Sequence, residues 1–264
     1  MKTRHVNGIE LALADRGEGM PVVFVHGFPL DHTMWNAQID ALAGQYRVIA
    51  PDLRGFGRSG VTEAAVTMEQ FADDLAALLD AMEVSEPIAL CGLSMGGYIA
   101  LAFQRKYKSR LRGLILCDTR AAGDTPEMVA ARHEMADRVS AEGPAPLVDA
   151  MGPKLFARAT VENRPEVVES LRRVMLSTDR RGIAAAARGM ARRPDVTGGL
   201  SEIDCPTLVV VGESDVLSTP EEMSTIARAI PGARFVEIAE SGHMSPMENP
   251  LEFNAALLDF LAAL

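Results

Sequence analysis

Residues 88–100 read IALCGLSMGGYIA and are the most informative stretch of the chain. An apolar run from Ile88 to Cys91 leads into a serine flanked by glycines, and a stretch compatible with a helix follows. Gly92 and Gly96 leave space where the turn brings neighbouring backbone close together. A G-x-S-x-G turn between a strand and a helix holds its serine at a strained tip. The stretch therefore predicts that the hydroxyl of Ser94 is exposed at the end of a strand.

Apolar runs of the same kind recur on both sides of this turn, at residues 22–25, 48–50, 114–117 and 208–211. Near-continuous apolarity, without strict alternation, predicts strands of a parallel sheet covered on both faces. Segments of helical period lie between them. Residues 68–82 carry apolar side chains at alternating steps of three and four, and residues 253–264 repeat the pattern after Asn249-Pro250. Strand and helix alternate, which predicts an α/β fold with a mostly parallel central sheet flanked by helices.

Two regions depart from this alternation. Residues 8–13 alternate between apolar and polar side chains and end in a glycine-rich turn, which predicts an antiparallel edge strand and a mixed sheet. Residues 121–200 contain no strand-like run for most of their length, and we interpret them as a helical cap inserted into a core formed by residues 1–120 and 201–264. The cap has a net charge of +1 against −11 for the rest. Its paired arginines, 192–193 among them, are predicted on solvated helix faces, with an anionic ligand as the alternative.

Charge, apolar runs and cysteine spacing argue against several classes of function. The formal net charge of −10 disfavours binding to nucleic acid or to anionic lipid headgroups. The N-terminus lacks the apolar core of a signal peptide, and no apolar run is long enough to span a bilayer, so we expect a cytoplasmic protein. The three cysteines form no C-x-x-C pair, which predicts neither a disulfide framework nor a zinc site. Cys91 and Cys117 end apolar runs and are predicted to be buried.

A serine hydroxyl needs a base that takes its proton and a third group that orients the base. Asp215 follows the strand predicted at 208–211, and His243 follows a last predicted strand at 234–238. Both side chains would lie at the same sheet edge as Ser94 if the strands are parallel. Asp118, which also follows a predicted strand, and Glu213 are competitors for the role of Asp215. The chain order serine, acid, histidine is the one found in α/β-hydrolases.

The whole chain resembles the α/β-hydrolase fold family, in its small esterase, enol-lactonase and perhydrolase-like branch. Residues 25–29, VHGFP, resemble the loop that shapes the family's oxyanion hole, and residues 51–59 resemble the loop after the next strand. The resemblance implies that the backbone N–H groups of Phe28 and Met95 stabilise an oxyanion. It implies hydrolysis of a small ester or lactone through an acyl-enzyme on Ser94, without a metal or organic cofactor.

Three alternatives to ester hydrolysis stay open: perhydrolase or haloperoxidase-like activity, carbon–carbon bond hydrolysis with the same residues, and a receptor without catalysis. The sequence leaves the oligomeric state open. Trp35 either lines the substrate pocket or packs in the core. His26 is interpreted as organising its loop, and His32 as an ordinary histidine. The cap methionines, at positions 128, 135, 151, 175 and 190, either form an apolar roof or fill a core.

Overall fold

A computed structural model describes residues 1–264, and in it eight strands form one sheet in the order β1-β2-β4-β3-β5-β6-β7-β8. β1 and β2 are antiparallel, as are β2 and β4, and every other neighbouring pair is parallel. The predicted mixed, mostly parallel sheet is thus confirmed. The strands are β1 (Lys2–Val6), β2 (Ile9–Arg16), β3 (Pro21–Val25), β4 (Arg47–Pro51), β5 (Ile88–Leu93), β6 (Leu111–Cys117), β7 (Thr207–Gly212) and β8 (Arg234–Ile238).

The strand predicted at the edge of the sheet is the second strand. β1 was not predicted. It lies at the edge of the sheet and pairs with β2, with Lys2 opposite Leu13 at one end and Val6 opposite Ile9 at the other. Four of its five residues are polar or charged, and only Val6 is buried. A strand held mainly by backbone hydrogen bonds to its neighbour leaves little hydrophobic pattern from which to recognise it.

The chain has eleven α-helices, and five of them cover the two faces of the sheet. One apolar core contains α2, α3 and α9, and a second contains α1 and α11 on the opposite face, so the sheet is buried on both sides. The helices are α1 (Asn36–Leu42), α2 (Met68–Ala81), α3 (Met95–Tyr107), α4 (Pro126–Glu142), α5 (Ala145–Met151), α6 (Arg158–Asn163), α7 (Pro165–Ser177), α8 (Arg180–Met190), α9 (Pro220–Ala229), α10 (Ser245–Glu248) and α11 (Pro250–Leu261). None of them combines the length and apolar composition needed to cross a lipid bilayer.

The topology brings the polar loops together. The strands β3, β5, β6, β7 and β8 are parallel, so their carboxyl ends lie at the same edge of the sheet. Crevices outside that edge are where open α/β sheets bind ligands. The five helices α4 to α8 occupy the chain between β6 and β7. Several of their side chains face this edge and form one wall of a cavity there.

Candidate active site

Ser94 lies at the tip of the turn between β5 and α3, with φ of 56° and ψ of −115°. A Cβ atom on Gly92 would be 2.2 Å from the carbonyl oxygen of Gly96, and one on Gly96 would be 2.2 Å from that of Val25. No side chain fits at either position, so both must be glycine. Such backbone strain costs about 1–3 kcal/mol and persists only where surrounding contacts hold it.

Two hydrogen bonds fix this strained turn from the neighbouring strand. The Ser94 N–H donates to the carbonyl of Cys117 at 2.9 Å, and the Thr119 hydroxyl donates to the Ser94 carbonyl at 2.7 Å. The serine side chain itself is half-buried and faces a cavity.

Cys91 and Cys117 are both fully buried, in agreement with the prediction from the sequence, and burial raises the pKa of the Cys117 thiol.

His243 and Asp215 form a buried pair. Nδ1 of His243 is 2.8 Å from Oδ2 of Asp215, and both residues are 3% exposed. The other oxygen, Oδ1 of Asp215, accepts hydrogen bonds from the backbone N–H groups of Leu217 at 2.7 Å and Ser218 at 3.1 Å. The carboxylate is therefore held by three hydrogen bonds, and its bond to Nδ1 fixes the orientation of the imidazole of His243, a residue that lines the cavity.

Neither competing carboxyl group contacts the histidine. Asp118 is fully buried, and it accepts hydrogen bonds from the Gly212 N–H at 2.8 Å and the Ser245 hydroxyl at 2.5 Å. Burial and the nearby negative charge of Asp215 raise its pKa well above the ordinary value. Glu213 is exposed and accepts from a backbone N–H in the loop before His243. Of the three acids considered from the sequence, only Asp215 is hydrogen-bonded to His243.

Ser94 and His243 line the same cavity, which has a volume of about 470 Å³. No hydrogen bond joins the Ser94 hydroxyl to the imidazole in this structure. Contacts of this kind are commonly long before substrate binds and shorten in the complex. The cavity size lies within the usual range for small-molecule sites.

Two backbone N–H groups lie beside the serine without acceptors. Met95 is the first residue of α3, so its N–H has no partner in a preceding helical turn. The N–H of Phe28, in the loop after β3, makes no hydrogen bond within the chain. His26 organises that loop: its Nε2 accepts from the Leu53 N–H at 3.0 Å, and its Nδ1 lies 2.9 Å from the Gly27 carbonyl. Burial lowers the pKa of His26, so the neutral ring is favoured.

The walls of the cavity are mainly apolar. Met128, Met135, Met151 and Met190 of the cap helices line it, while Met175 is buried in the core. Trp35 does not line the cavity. It is fully buried, with its ring 4.9 Å from that of Phe24 and 6.1 Å from that of Phe253. Of the two alternatives for Trp35, packing in the core is the one that the structure shows.

The charged side chains that line the cavity are all basic: Arg120, Arg132 and Lys154. Arg120 forms an ion pair with Glu222 at 3.1 Å. Arg132 shares the buried Asp124 with Arg193, so two guanidinium groups meet one carboxylate. Lys154 is exposed and forms no ion pair. Lys154 is therefore the one basic group of the lining whose charge no carboxylate of the chain pairs with.

Arg193 is the exception to the expectation that the paired arginines of the cap are solvated, since the arginines at 172, 173, 180, 181 and 192 are exposed. It is 9% exposed, bonded to Asp124 at 2.7 Å and stacked on the ring of Tyr98 at 4.1 Å from the ring centre. Tyr98 lines the cavity, so Arg193 supports the wall from behind. The sequence contains no local signal for this, since Asp124 is 69 residues away along the chain.

His32 also differs from its interpretation as an ordinary histidine. Its Nδ1 is 2.6 Å from Oδ1 of Asp52, and its backbone N–H donates to the same oxygen at 3.0 Å. Asp31 lies close enough that these three side chains have the spacing of metal ligands. The Asp31 carboxylate accepts from the N–H and hydroxyl of Thr33, and that of Asp52 also accepts from the Arg58 N–H. These bonds favour a structural role, joining the loop after β3 to the loop after β4.

We expect the His32–Asp52 pair to make stability depend on pH. Burial lowers the pKa of His32, but the hydrogen bond and charge of Asp52 outweigh it and raise the pKa. The raised value means that the pair stabilises the fold fully below the ordinary histidine pKa, and that this contribution is lost as pH rises through the folded-state value. Denaturant unfolding should show that His32→Asn is more destabilising at about pH 5.5 than at about pH 8.5. The same change at exposed His133 is the control, and an equal loss for His32→Asn at both pH values would contradict the prediction.

The parallel sheet, the strained serine turn and the cavity outside the carboxyl edge define a hydrolase of the α/β class. A sequence model described as alpha/beta hydrolase fold matches residues 20–250, and the chain belongs to that family.

Individual relatives cover nearly the whole chain. 3-Oxoadipate enol-lactonase 1 of Acinetobacter baylyi is 31% identical over 94% of this chain and 88% of its own length. A thermophilic esterase from Thermogutta terrifontis, solved with malate bound, is 51% identical with a TM-score of 0.96, over 99% of this chain and 96% of that one. An enol-lactonase from Burkholderia xenovorans is 32% identical with a TM-score of 0.92, over 99% of this chain and 100% of that one.

Proposed function

We propose that the protein hydrolyses small carboxylic esters or lactones through an acyl-enzyme on Ser94. The observation that carries the proposal is the arrangement of Ser94 and His243 on one cavity, with Asp215 on the far nitrogen of the imidazole. A related esterase and two related enol-lactonases, all similar over nearly their full length, support the choice of reaction.

In the first step, Ser94 Oγ attacks the carbonyl carbon while Nε2 of His243 takes the hydroxyl proton. Asp215 accepts a hydrogen bond from Nδ1 and stabilises the imidazolium that forms. The negative charge that develops on the carbonyl oxygen is stabilised by the free N–H groups of Phe28 and Met95. His243 then donates its proton to the leaving alcohol, which departs, or stays attached where the substrate is a lactone. In the second step His243 takes a proton from a water molecule that attacks the acyl carbon, the bond to Oγ breaks, the carboxylic acid is released, and His243 returns the proton to Ser94.

The proposal is tested by labelling with a fluorophosphonate probe and by assaying p-nitrophenyl esters from acetate to decanoate together with simple lactones. We expect labelling of the wild-type protein and a kcat/KM that falls toward decanoate, because the cavity holds a small substrate. A protein that neither reacts with the probe nor cleaves any ester would be a ligand-binding protein on the same fold. Peracid formation with hydrogen peroxide, or cleavage of a ring-cleavage diketone, at a higher kcat/KM than ester hydrolysis would favour one of the other reactions.

The basic lining of the cavity predicts a preference for substrates that carry a second, ionised group. Lys154 has no partner within the chain, so its ammonium group is free to bind a carboxylate. We expect Lys154→Met to raise KM for p-nitrophenyl hemisuccinate roughly threefold to tenfold, as the loss of about 1 kcal/mol of charged contact implies. KM for neutral p-nitrophenyl butyrate is expected to stay the same.

Lys108→Met is the matched control for this change. Lys108 is exposed and follows the last residue of α3, a helix of 13 residues that begins immediately after Ser94. At about 1.5 Å per residue it lies roughly 20 Å from the serine. Equal losses on both esters in Lys154→Met would show that Lys154 supports the cap instead of binding the anionic group.

A further inference from the structure

Glu248, the last residue of α10, carries a buried carboxylate that no ion pair neutralises. Its residue is 5% exposed, and each of its two oxygens accepts two hydrogen bonds. Oε1 accepts from the backbone N–H groups of Gly242 at 2.8 Å and Met244 at 3.2 Å. Oε2 accepts from the Ala157 N–H at 2.8 Å and the Thr160 hydroxyl at 2.7 Å. Four donors converge on one carboxylate, and buried charges are tolerated only where such donors satisfy them.

The two donors to Oε1 flank His243 in the chain. One oxygen atom therefore holds the backbone immediately before and immediately after the histidine. Because the imidazole position follows from the position of its own backbone, these bonds restrain where Nε2 lies relative to Ser94. Asp215 restrains the ring from the other nitrogen.

The two donors to Oε2 belong to the cap, at the start of α6. The same segment contacts the histidine loop directly, because the Met244 N–H also donates to the Leu155 carbonyl at 3.1 Å. A Cβ atom on Gly242 would be 2.6 Å from the Ala157 nitrogen, so backbone packs on backbone there. The chain just before this segment supplies Met151 and Lys154 to the cavity wall.

The donor arrangement favours an ionised carboxylate over an amide. Burial raises the pKa of Glu248 above its ordinary value, and the hydrogen bonds from Thr160, Ala157, Gly242 and Met244 reduce that rise. Three of the four partners are backbone N–H groups, which can only donate, so a proton or an NH₂ group on either oxygen position would face at least one further donor. The guanidinium group of Arg164 bonds the backbone carbonyls of Met247 and Glu248, and not this carboxylate.

We propose that Glu248 is a positioning residue that couples the cap segment 155–160 to the histidine loop 242–244, so that the cavity wall and the base are held in one fixed relation. This inference rests on the proposed function for its kinetic consequence, and its structural consequence is independent of it. Misplacing a catalytic group by about 1 Å lowers the rate by up to roughly 100-fold.

The test is Glu248→Gln, which keeps the shape but places an NH₂ group against at least one backbone N–H donor. We expect kcat for p-nitrophenyl butyrate to fall roughly 10- to 100-fold with KM changed less than about threefold, because the base moves while the cavity keeps its lining. Amide hydrogen exchange at Gly242, Met244 and Ala157 is expected to accelerate, with exchange in β5 unchanged. Glu240→Gln is the matched control, since this exposed residue of the neighbouring loop loses the same charge.

A second variant, Thr160→Val, removes one cap-side bond and leaves the histidine-side donors intact. Coupling requires faster exchange at Gly242 and Met244 in this variant too, although Thr160 contacts neither residue's amide. A kcat for Glu248→Gln within about twofold of the wild-type value, or unchanged exchange at Gly242 and Met244 in Thr160→Val, would overturn the proposal. Should the wild-type protein hydrolyse no ester, the proposed function fails, and the exchange measurements still decide whether the coupling exists.

Discussion

Ser94→Ala is expected to lower kcat for p-nitrophenyl butyrate by roughly 10⁴- to 10⁶-fold, since removal of the nucleophilic serine from a serine–histidine–aspartate group has effects of that size. Without the hydroxyl no acyl-enzyme forms, and only the stabilisation of charge by backbone N–H groups is left. Alanine has the same Cβ atom as serine, so it adopts the strained φ of 56° at no greater steric cost than serine does. The variant is therefore expected to fold. Labelling by a fluorophosphonate probe should disappear together with activity.

Ser214→Ala is the control for this experiment. Ser214 is an exposed serine on the turn just before Asp215, and its side chain makes no hydrogen bond within the chain. Its loss should leave kcat and labelling unchanged. Retention of more than about 1% of activity by Ser94→Ala, in protein free of wild-type contamination, would place the nucleophile elsewhere.

Asp215→Asn is expected to lower kcat by roughly 10³- to 10⁴-fold with little loss of stability. The amide oxygen of asparagine would face the N–H groups of Leu217 and Ser218, which now donate to Oδ1. The NH₂ group would then face Nδ1 of His243, which forces the ring proton onto Nε2. That tautomer presents a donor to the serine hydroxyl where a base is needed. Steady-state kinetics and thermal unfolding of the same sample separate the two effects.

Asp118→Asn is the matched comparison, because Asp118 is a second buried acid near the same loops. Burial and the charge of Asp215 raise its pKa well above the ordinary value, which favours the neutral acid, and an amide resembles that form. We expect kcat to change by less than about tenfold. A loss in Asp118→Asn equal to that in Asp215→Asn would mean that the two carboxyl groups share the role of orienting the histidine.

Much of the fold was predictable because its signals are local. A buried parallel strand needs consecutive apolar residues, so β5, β6 and β7 are visible in the sequence as runs. The turn at Ser94 admits only glycine at two flanking positions, and the glycines at residues 92 and 96 are visible in the sequence. β1 could not be recognised in this way, since its pairing with β2 is made by backbone groups that every residue has.

The candidate site was predictable to a lesser extent. The positions of Ser94 and His243 follow from the carboxyl ends of parallel strands meeting at one edge. The roles of Trp35 and Arg193 did not follow, because burial of an indole or a guanidinium depends on partners far along the chain. Glu248 carries no pattern of its own, since its four donors come from two separate segments.

By itself, the sequence determined the alternation of strands and helices, the strained serine turn and the order of serine, acid and histidine along the chain. Each of these depends on the period of apolar side chains or on steric limits within a few residues. Only the tertiary structure decided which acid contacts His243, which basic groups line the cavity and how the cap is joined to the histidine loop. Those contacts join residues tens of positions apart, and their energies depend on distance, burial and hydrogen-bond geometry, which exist only once the chain has folded.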